Sequence, residues 1–214
     1  MRYHRVSRMH RILLTRDEVT LTRGDATREK LLKAAIGLFH EFGYNGTSVQ
    51  DIVTEAKIPK GSFYNYFKSK EELAIAASDV FYPYALAFLE LENNSSPVAR
   101  LRKYFRLTLN EMRRHGYVRG CLVGNFASEI TNATPALKKR VTELLDEATR
   151  RIAVVVLQAQ EMGEIDPNVP TMNLSRFILN SLYGAIFRSK TDRTRRPMNL
   201  LEQFALDAFV VKKR

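Results

Sequence analysis

Between Thr47 and Phe67 the chain sets two short apolar-faced segments on either side of a turn that closes at Pro59. Val49, Ile52 and Val53 share one side of the first segment, and Phe63 and Phe67, four residues apart, share one side of the second. Segments this short do not hold helical shape by propensity alone, because nucleation fixes several residues for a single hydrogen bond. They persist only when packed on something larger, so the pattern predicts a helical hairpin seated on neighbouring helices. Thr47-Ser48-Val49-Gln50 has the form of a capping box. Pro59 suits a first helical turn, where its missing N–H does no harm.

The flanks supply the neighbours. Leu31, Ala35, Leu38, Phe39 and Phe42 recur at the spacing of one helix face, with Asp25 or Thr27 to cap its start and Gly43 to end it. Ser69-Lys70-Glu71-Glu72 is a second capping box, and it launches a long helix through Leu73, Ala77, Val80, Phe81, Tyr84 and Phe88. Further helical patterns open at Ser96-Pro97, after Gly120 and at Thr134-Pro135. Two more run through Phe177 to Phe187 and Leu200 to Phe209. No strand alternation competes, so the expected fold class is all-α, with about nine helices and no sheet.

Composition removes whole classes of function. With 45% apolar residues in 214, the chain can build an ordinary core. No apolar run approaches the roughly 18 residues that cross a bilayer, which predicts a cytoplasmic protein with no membrane partner. One cysteine, Cys121, excludes an internal disulfide, and four histidines make a zinc module a poor fit. There is no G-x-S-x-G elbow, phosphate-cradling glycine loop, H-E-x-x-H or paired-carboxylate arrangement, so no enzyme and no cofactor is expected. The acids Glu111, Glu129 and Glu143 look like ordinary helix surface. The net charge of +11 points to an anionic partner without fixing its site.

The hairpin carries the site. A helix-turn-helix needs one helix across the phosphate backbone and a second that fits the major groove. The second segment offers Lys60, Ser62, Tyr64 and Asn65, and Gly61 leaves no side chain to hold the backbone off a duplex. Lys57, Lys60, Lys68 and Lys70 fall within 14 residues that contain no acid. A polar hairpin without a ligand, a helical enzyme, and an adaptor that keeps the fold but has lost DNA are the alternatives to a DNA reader.

Residues 27–73, TREKLLKAAIGLFHEFGYNGTSVQDIVTEAKIPKGSFYNYFKSKEEL, resemble the DNA-binding region of TetR-family transcriptional repressors. The likeness combines the apolar helix before F-G-Y, the T-S-V-x-D-I start and K-G-S-F-Y-x-Y-F-x-S-K-E-x-L. It implies a basic flexible arm over 1–24, a helix-turn-helix domain over 25–72, and a helical inducer-binding and dimerisation domain over 73–214. It further implies a homodimer on a palindromic operator in double-stranded DNA, released by a small-molecule inducer. Carried over by position, Thr47 and Ser48 hold a phosphate, Lys60, Tyr64 and Lys70 contact phosphates, Ser62 and Asn65 reach base edges, and Tyr66 does either. Gly61 allows the close approach. Lys57 stands where the family usually has glycine, which predicts a non-glycine residue at positive φ for a cost of about 1 kcal/mol.

The arm, rich in arginine, reads first as a mobile tail; a start at Met9 and a targeting peptide are the alternatives, the latter opposed by Asp17 and Glu18, and Arg16, Arg23 and Arg28 would extend the positive field toward a minor groove. Further on, Gly120-Cys-Leu-Val-Gly-Asn125 resembles the G-C-L-x-G-N segment of a TetR branch that includes acrylate-responsive and N-ethylmaleimide-responsive repressors. Cys121 follows Arg119 at a helix start, a setting that favours thiolate; the alternative is a small buried hydrophobe. Tyr104, Met112, Asn125, Phe126 and Tyr183 join Cys121 as the expected inducer pocket. The helix from Ser69 would carry the signal, and the last two helices, with Gly184, would pair with a second copy.

Overall fold

The computed structural model describes residues 23–87, 89 and 96–211. Nine α-helices occur among the described residues: α1 (Arg23–Phe42), α2 (Val49–Ala56), α3 (Lys60–Phe63), α4 (Lys70–Ala87), α5 (Pro97–Arg114), α6 (Leu122–Glu129), α7 (Pro135–Glu161), α8 (Thr171–Asp192) and α9 (Arg196–Leu201). α9 runs on into one π-helical turn, Glu202–Leu206. A lone antiparallel bridge between Ile165 and Val210 is the extended pairing found among these residues. The all-α expectation holds.

α1 starts earlier than its sequence signals suggest. Arg23 and Gly24, assigned by the sequence to the arm, form its first turn, with Asp25 in that turn, where an acid suits the positive end of the helix. The rest of the expected arm, including Arg16, lies outside the described residues. Leu31, Ala35 and Phe39 are fully buried, whereas Phe42, expected on the same face, turns out to solvent. Gly43 then ends the helix at φ +76° and donates its N–H to the Phe39 carbonyl at 3.1 Å.

The capping box expected over Thr47–Gln50 forms one residue later, because the Thr47 hydroxyl is taken by the Gly43 carbonyl. Ser48 and Asp51 form a complete capping box on α2. Ser69 accepts from the Glu72 N–H at 3.1 Å, but Glu72 returns its carboxylate to the Lys68 N–H at 2.7 Å, so that second box closes one residue early. Ser96 accepts from Ala99 at 3.2 Å, and Glu164 binds both the Ser96 hydroxyl (2.9 Å) and the Val98 N–H (3.0 Å), fixing α5 to the end of α7.

α4 is buried on more than one side. Leu73, Ala74, Ala77, Ser78, Phe81, Tyr82 and Leu86 are all covered, because the helix lies between α1 and α7. Phe88 and the Tyr84 side chain lie outside the described residues. One connected apolar cluster runs from Leu31 on α1 to Leu206. The apolar packing of the pocket-lining helices is thus continuous with that of the helix-turn-helix.

Candidate nucleic-acid interface and the pocket behind it

The start of α2 is built for rigidity. Ser48 takes the Asp51 N–H at 3.1 Å, while the Asp51 carboxylate accepts from the Ser48 N–H (2.8 Å) and hydroxyl (2.7 Å). Those bonds hold the Asp51 carboxyl below the usual carboxylate range, the hydroxyl contact foremost. Thr47 is 1% exposed and gives its hydroxyl to the Gly43 carbonyl at 2.8 Å. The expected phosphate role of these two residues is therefore not met by the Thr47 hydroxyl as it stands; Ser48 remains exposed beside it.

Lys57 closes α2 at φ 55°, ψ 48°, the left-handed conformation its position demands, and donates its N–H back to Thr54 at 3.1 Å. The segment that follows is shorter as an α-helix than the sequence suggests, reaching only from Lys60 to Phe63. Turns continue it to Phe67, whose N–H reaches the Phe63 carbonyl at 3.1 Å. Phe63 and Phe67 are buried; Lys60, Gly61, Tyr64 and Asn65 are exposed; Ser62 and Tyr66 are half-buried. Tyr64 is 57% exposed and stands edge-on against Phe63, ring centroids 5.1 Å apart, so the core fixes where its ring projects. Among the described residues, nothing beyond its own helical turn lies within 4 Å of where a Gly61 side chain would sit, and its φ is not positive. Packing and backbone geometry do not ask for glycine there.

Lys70 does otherwise than its position suggests. Its Nζ donates to the carbonyls of Tyr44 (2.8 Å) and Thr47 (2.9 Å) and stands 4.1 Å over the Tyr44 ring. Burial lowers its pKa, with the Glu129 charge opposing. Lys70 is thus a staple across the turn between α1 and α2 rather than an outward phosphate ligand. Arg28, expected to extend the basic field, lies over Phe67 at 5.2 Å. Lys57, Lys60 and Lys68 are exposed on and beside the hairpin, as is Arg28.

Behind the interface lies a part-open pocket with a cavity volume of about 110 Å³. Tyr104, Met112, Cys121 and Tyr183 line it, joined by His40 and Phe81. His40 and Phe81 pack edge to face at 4.5 Å. Asn125 and Phe126, expected here, are placed elsewhere. Phe126 packs on Phe39 at 5.2 Å in the core, and Asn125 donates to the carbonyls of His40 (3.2 Å) and Phe39 (3.4 Å) at the end of α1. A polar residue one helical turn after Cys121 reads from sequence as a pocket residue; its actual acceptors are backbone atoms more than eighty residues away, and no local pattern reports them.

Cys121 is the N-cap residue of α6. Its Sγ lies 3.8 Å from the Tyr183 hydroxyl, which lies 3.0 Å from that of Tyr82. A side chain on Gly124 would come within 2.9 Å of the Tyr183 ring, so that glycine lets the phenol close on the thiol. Burial pushes the Cys121 thiol up, against the pull of the Gly124 and Val123 N–H groups and Tyr183. Arg119, the expected thiolate-stabilising cation, pairs instead with Glu41 at 3.5 Å. Desolvation thus outweighs the helix N-terminus and holds the thiol toward its protonated form, which is the direction of the second of the two sequence readings, the small buried side chain.

A helix-turn-helix that displays lysine and tyrosine, on a helical body with an internal pocket, defines the class of ligand-responsive DNA-binding regulators. Residues 31–77 match the model of bacterial regulatory proteins of the tetR family, and residues 97–205 match the tetracyclin repressor-like C-terminal domain. The chain belongs to the TetR family of transcriptional regulators. It is 31% identical over 174 residues to the transcriptional regulator AcuR of Cereibacter sphaeroides, covering 80% of each chain. It is also 31% identical over 140 residues to the transcriptional repressor NemR of Escherichia coli K12, covering 64% of this chain and 68% of that one. The crystal structure of the regulatory protein TetR from Rhodobacter sphaeroides superposes with a TM-score of 0.81 at 30% identity, covering 86% of this chain and 99% of the other.

Proposed function

We propose that a symmetric pair of these chains represses transcription by seating two copies of the Lys60–Phe67 segment in the major groove of a palindromic operator. An electrophilic small molecule entering the pocket beside Cys121 releases the pair. The observation that carries the DNA reading is Gly61, which the protein's own packing does not require and which lies on the exposed edge between Lys60 and Tyr64. Lys60 and Tyr64 hold the phosphates and fix register, Asn65 reads a base edge, and Ser62 and Tyr66 need a small outward adjustment to contribute.

Pairing is supported by apolar side chains left open on two adjacent helices. Val154 and Leu157 on α7, and Phe177 and Phe187 on α8, are all exposed. Gly184 has nothing within 4 Å, which leaves room for a second backbone. The sequence reading placed this face on the last two helices, and Leu200 and Phe204 are exposed there too; the open residues of α7, which packs beside α8, support extending the face to it. For the inducer, the Gly120–Asn125 segment and the likeness to NemR favour the electrophile-responsive branch. The thiol first gives its proton to water; the thiolate then attacks an activated carbon–carbon double bond, the π pair moves to the neighbouring carbon, and that carbon takes a proton back from water. Phe81 and Ala85 of α4 line the same pocket. A ligand that prefers one placement of α4 shifts the distance between the two recognition segments.

The test is a mobility-shift titration on the DNA upstream of the gene, followed by N-ethylmaleimide. The expected complex holds two chains, weakens steeply with salt and is released by the reagent in wild type but not in Cys121→Ser. Failure to retard every upstream fragment contradicts the DNA reading; equal release of both proteins contradicts the thiol.

A further inference from the structure

Three contacts tie α6 and its lead-in to the DNA-binding unit, and they run in order along the chain. Arg119 pairs with Glu41 at the last turn of α1 (3.5 Å). Asn125 donates to the carbonyls of Phe39 and His40. Glu129, the last residue of α6, accepts the Asn45 N–H at 2.7 Å, in the turn that feeds α2. Cys121, Asn125 and Glu129 are four residues apart and so lie along one side of the helix. Its first end is in the pocket wall and its other end is in the turn.

The turn is shaped to receive that carboxylate. A side chain on Gly43 would overlap Glu129, with its Oε1 only 1.9 Å from the Cβ position, and Gly43 already holds φ +76°. Lys70, within reach of the Glu129 charge, clamps the Tyr44 and Thr47 carbonyls. Thr47 in turn bonds back to Gly43 and precedes the Ser48 cap of α2. The turn is thus held by an anion from α6 and a cation from α4, and its placement sets where α2 and the recognition segment stand.

We infer that Asn125 and Glu129 are positioning residues that couple the pocket to the helix-turn-helix through α6, a route additional to α4. The regulator reading above supplies what this coupling would transmit, but the coupling itself is measurable without operator or inducer. Cys121 is the chain's single cysteine, so a thiol reagent reports on one site. Glu129 lies two helical turns away from it. A residue that merely braced the turn would leave that thiol untouched.

The experiment measures the N-ethylmaleimide labelling rate of the full chain at pH 8.5 for wild type, Glu129→Ala, Glu129→Gln and Lys70→Met. Glu129→Ala is expected to change the rate by about fivefold or more, the size of a modest coupling between sites. Glu129→Gln keeps an acceptor for Asn45, and Lys70→Met loosens the same turn from the α4 side, so both stay within about twofold of wild type. A Glu129→Ala rate equal to wild type, or an equal change in Lys70→Met, overturns the inference. Wild type alone gives the reciprocal reading: alkylating Cys121 is expected to speed amide exchange across residues 43–47 by about fivefold, and unchanged exchange overturns the inference whatever the variants do. Either failure leaves the DNA reading intact, because neither measurement involves DNA.

Discussion

The ammonium of Lys70 donates to the Tyr44 carbonyl at 2.8 Å and stands 4.1 Å over the ring of the same residue. It also takes the Thr47 carbonyl at 2.9 Å. Two carbonyls and one aromatic face bring together the end of α1, the start of α2 and the start of α4. Replacing it by methionine is expected to cost about 1–2 kcal/mol, since a charged donor to two carbonyls is lost from a half-buried site. That is a fall of a few degrees in Tm, readable by thermal unfolding. The salt dependence of DNA binding should keep its slope. A slope reduced by about one would return Lys70 to the phosphate contacts.

Gly61 separates stability from function. Alanine is favoured over glycine within a helix by roughly 1 kcal/mol, and the space around Gly61 is open. Gly61→Ala is therefore expected to leave Tm unchanged or raise it while weakening operator affinity about tenfold or more, a price of some 1.4 kcal/mol against the duplex. Unfolding and gel-shift titrations on the same preparation decide it. Unchanged affinity would mean that the backbone at Gly61 does not approach DNA.

Lys60 is exposed at the start of α3 and its outward charge belongs to no ion pair described here. Lys60→Ala should lower affinity by a similar factor on specific and non-specific DNA and reduce the log–log salt slope by about one per half-site. Asn65→Ala should instead relax discrimination at a single base-pair position, with the slope kept. Competition against single-base operator variants distinguishes the two.

Cys121 gives a pH dependence whose sign follows from burial. Its thiol is held above the ordinary cysteine value, mainly by desolvation. The thiolate is the nucleophile, so labelling should go on accelerating with rising pH beyond the midpoint of a free cysteine thiol, about 8.5. Tyr183→Phe removes a hydroxyl 3.8 Å from the sulfur that favours thiolate, and should move the midpoint higher still. A midpoint below that of free cysteine would restore the activated resting thiol suggested by the helix N-terminus and Arg119.

The sequence made the helices legible where a local rule governs them. Ser69 and Ser96 announce two helix starts, because capping involves residues only three apart, while the box read at Thr47 forms one residue later at Ser48. Phe63 and Phe67 identify the buried side of the recognition segment for the same reason. Lys57 shows that a residue matching the family's glycine position still takes the left-handed conformation. Long-range polar pairing was not legible. Glu129 looks like helix surface, yet its acceptor role links it to Asn45 across 84 positions. Lys70 matches a phosphate-contacting position, and its partners are backbone carbonyls 23 and 26 residues away. The raised Cys121 thiol depends on three-dimensional burial, whereas the sequence displayed only its charged neighbour.

Chemical footprinting of the operator on both strands tests the central claim most directly. Two protected patches are expected on one face of the duplex, related by a dyad and separated by about one helical turn, 34 Å, or a multiple of it. Both should weaken together in Tyr64→Ala, because every copy in the pair carries the same change. Protection confined to a single patch, or patches that persist in Tyr64→Ala, would contradict the account.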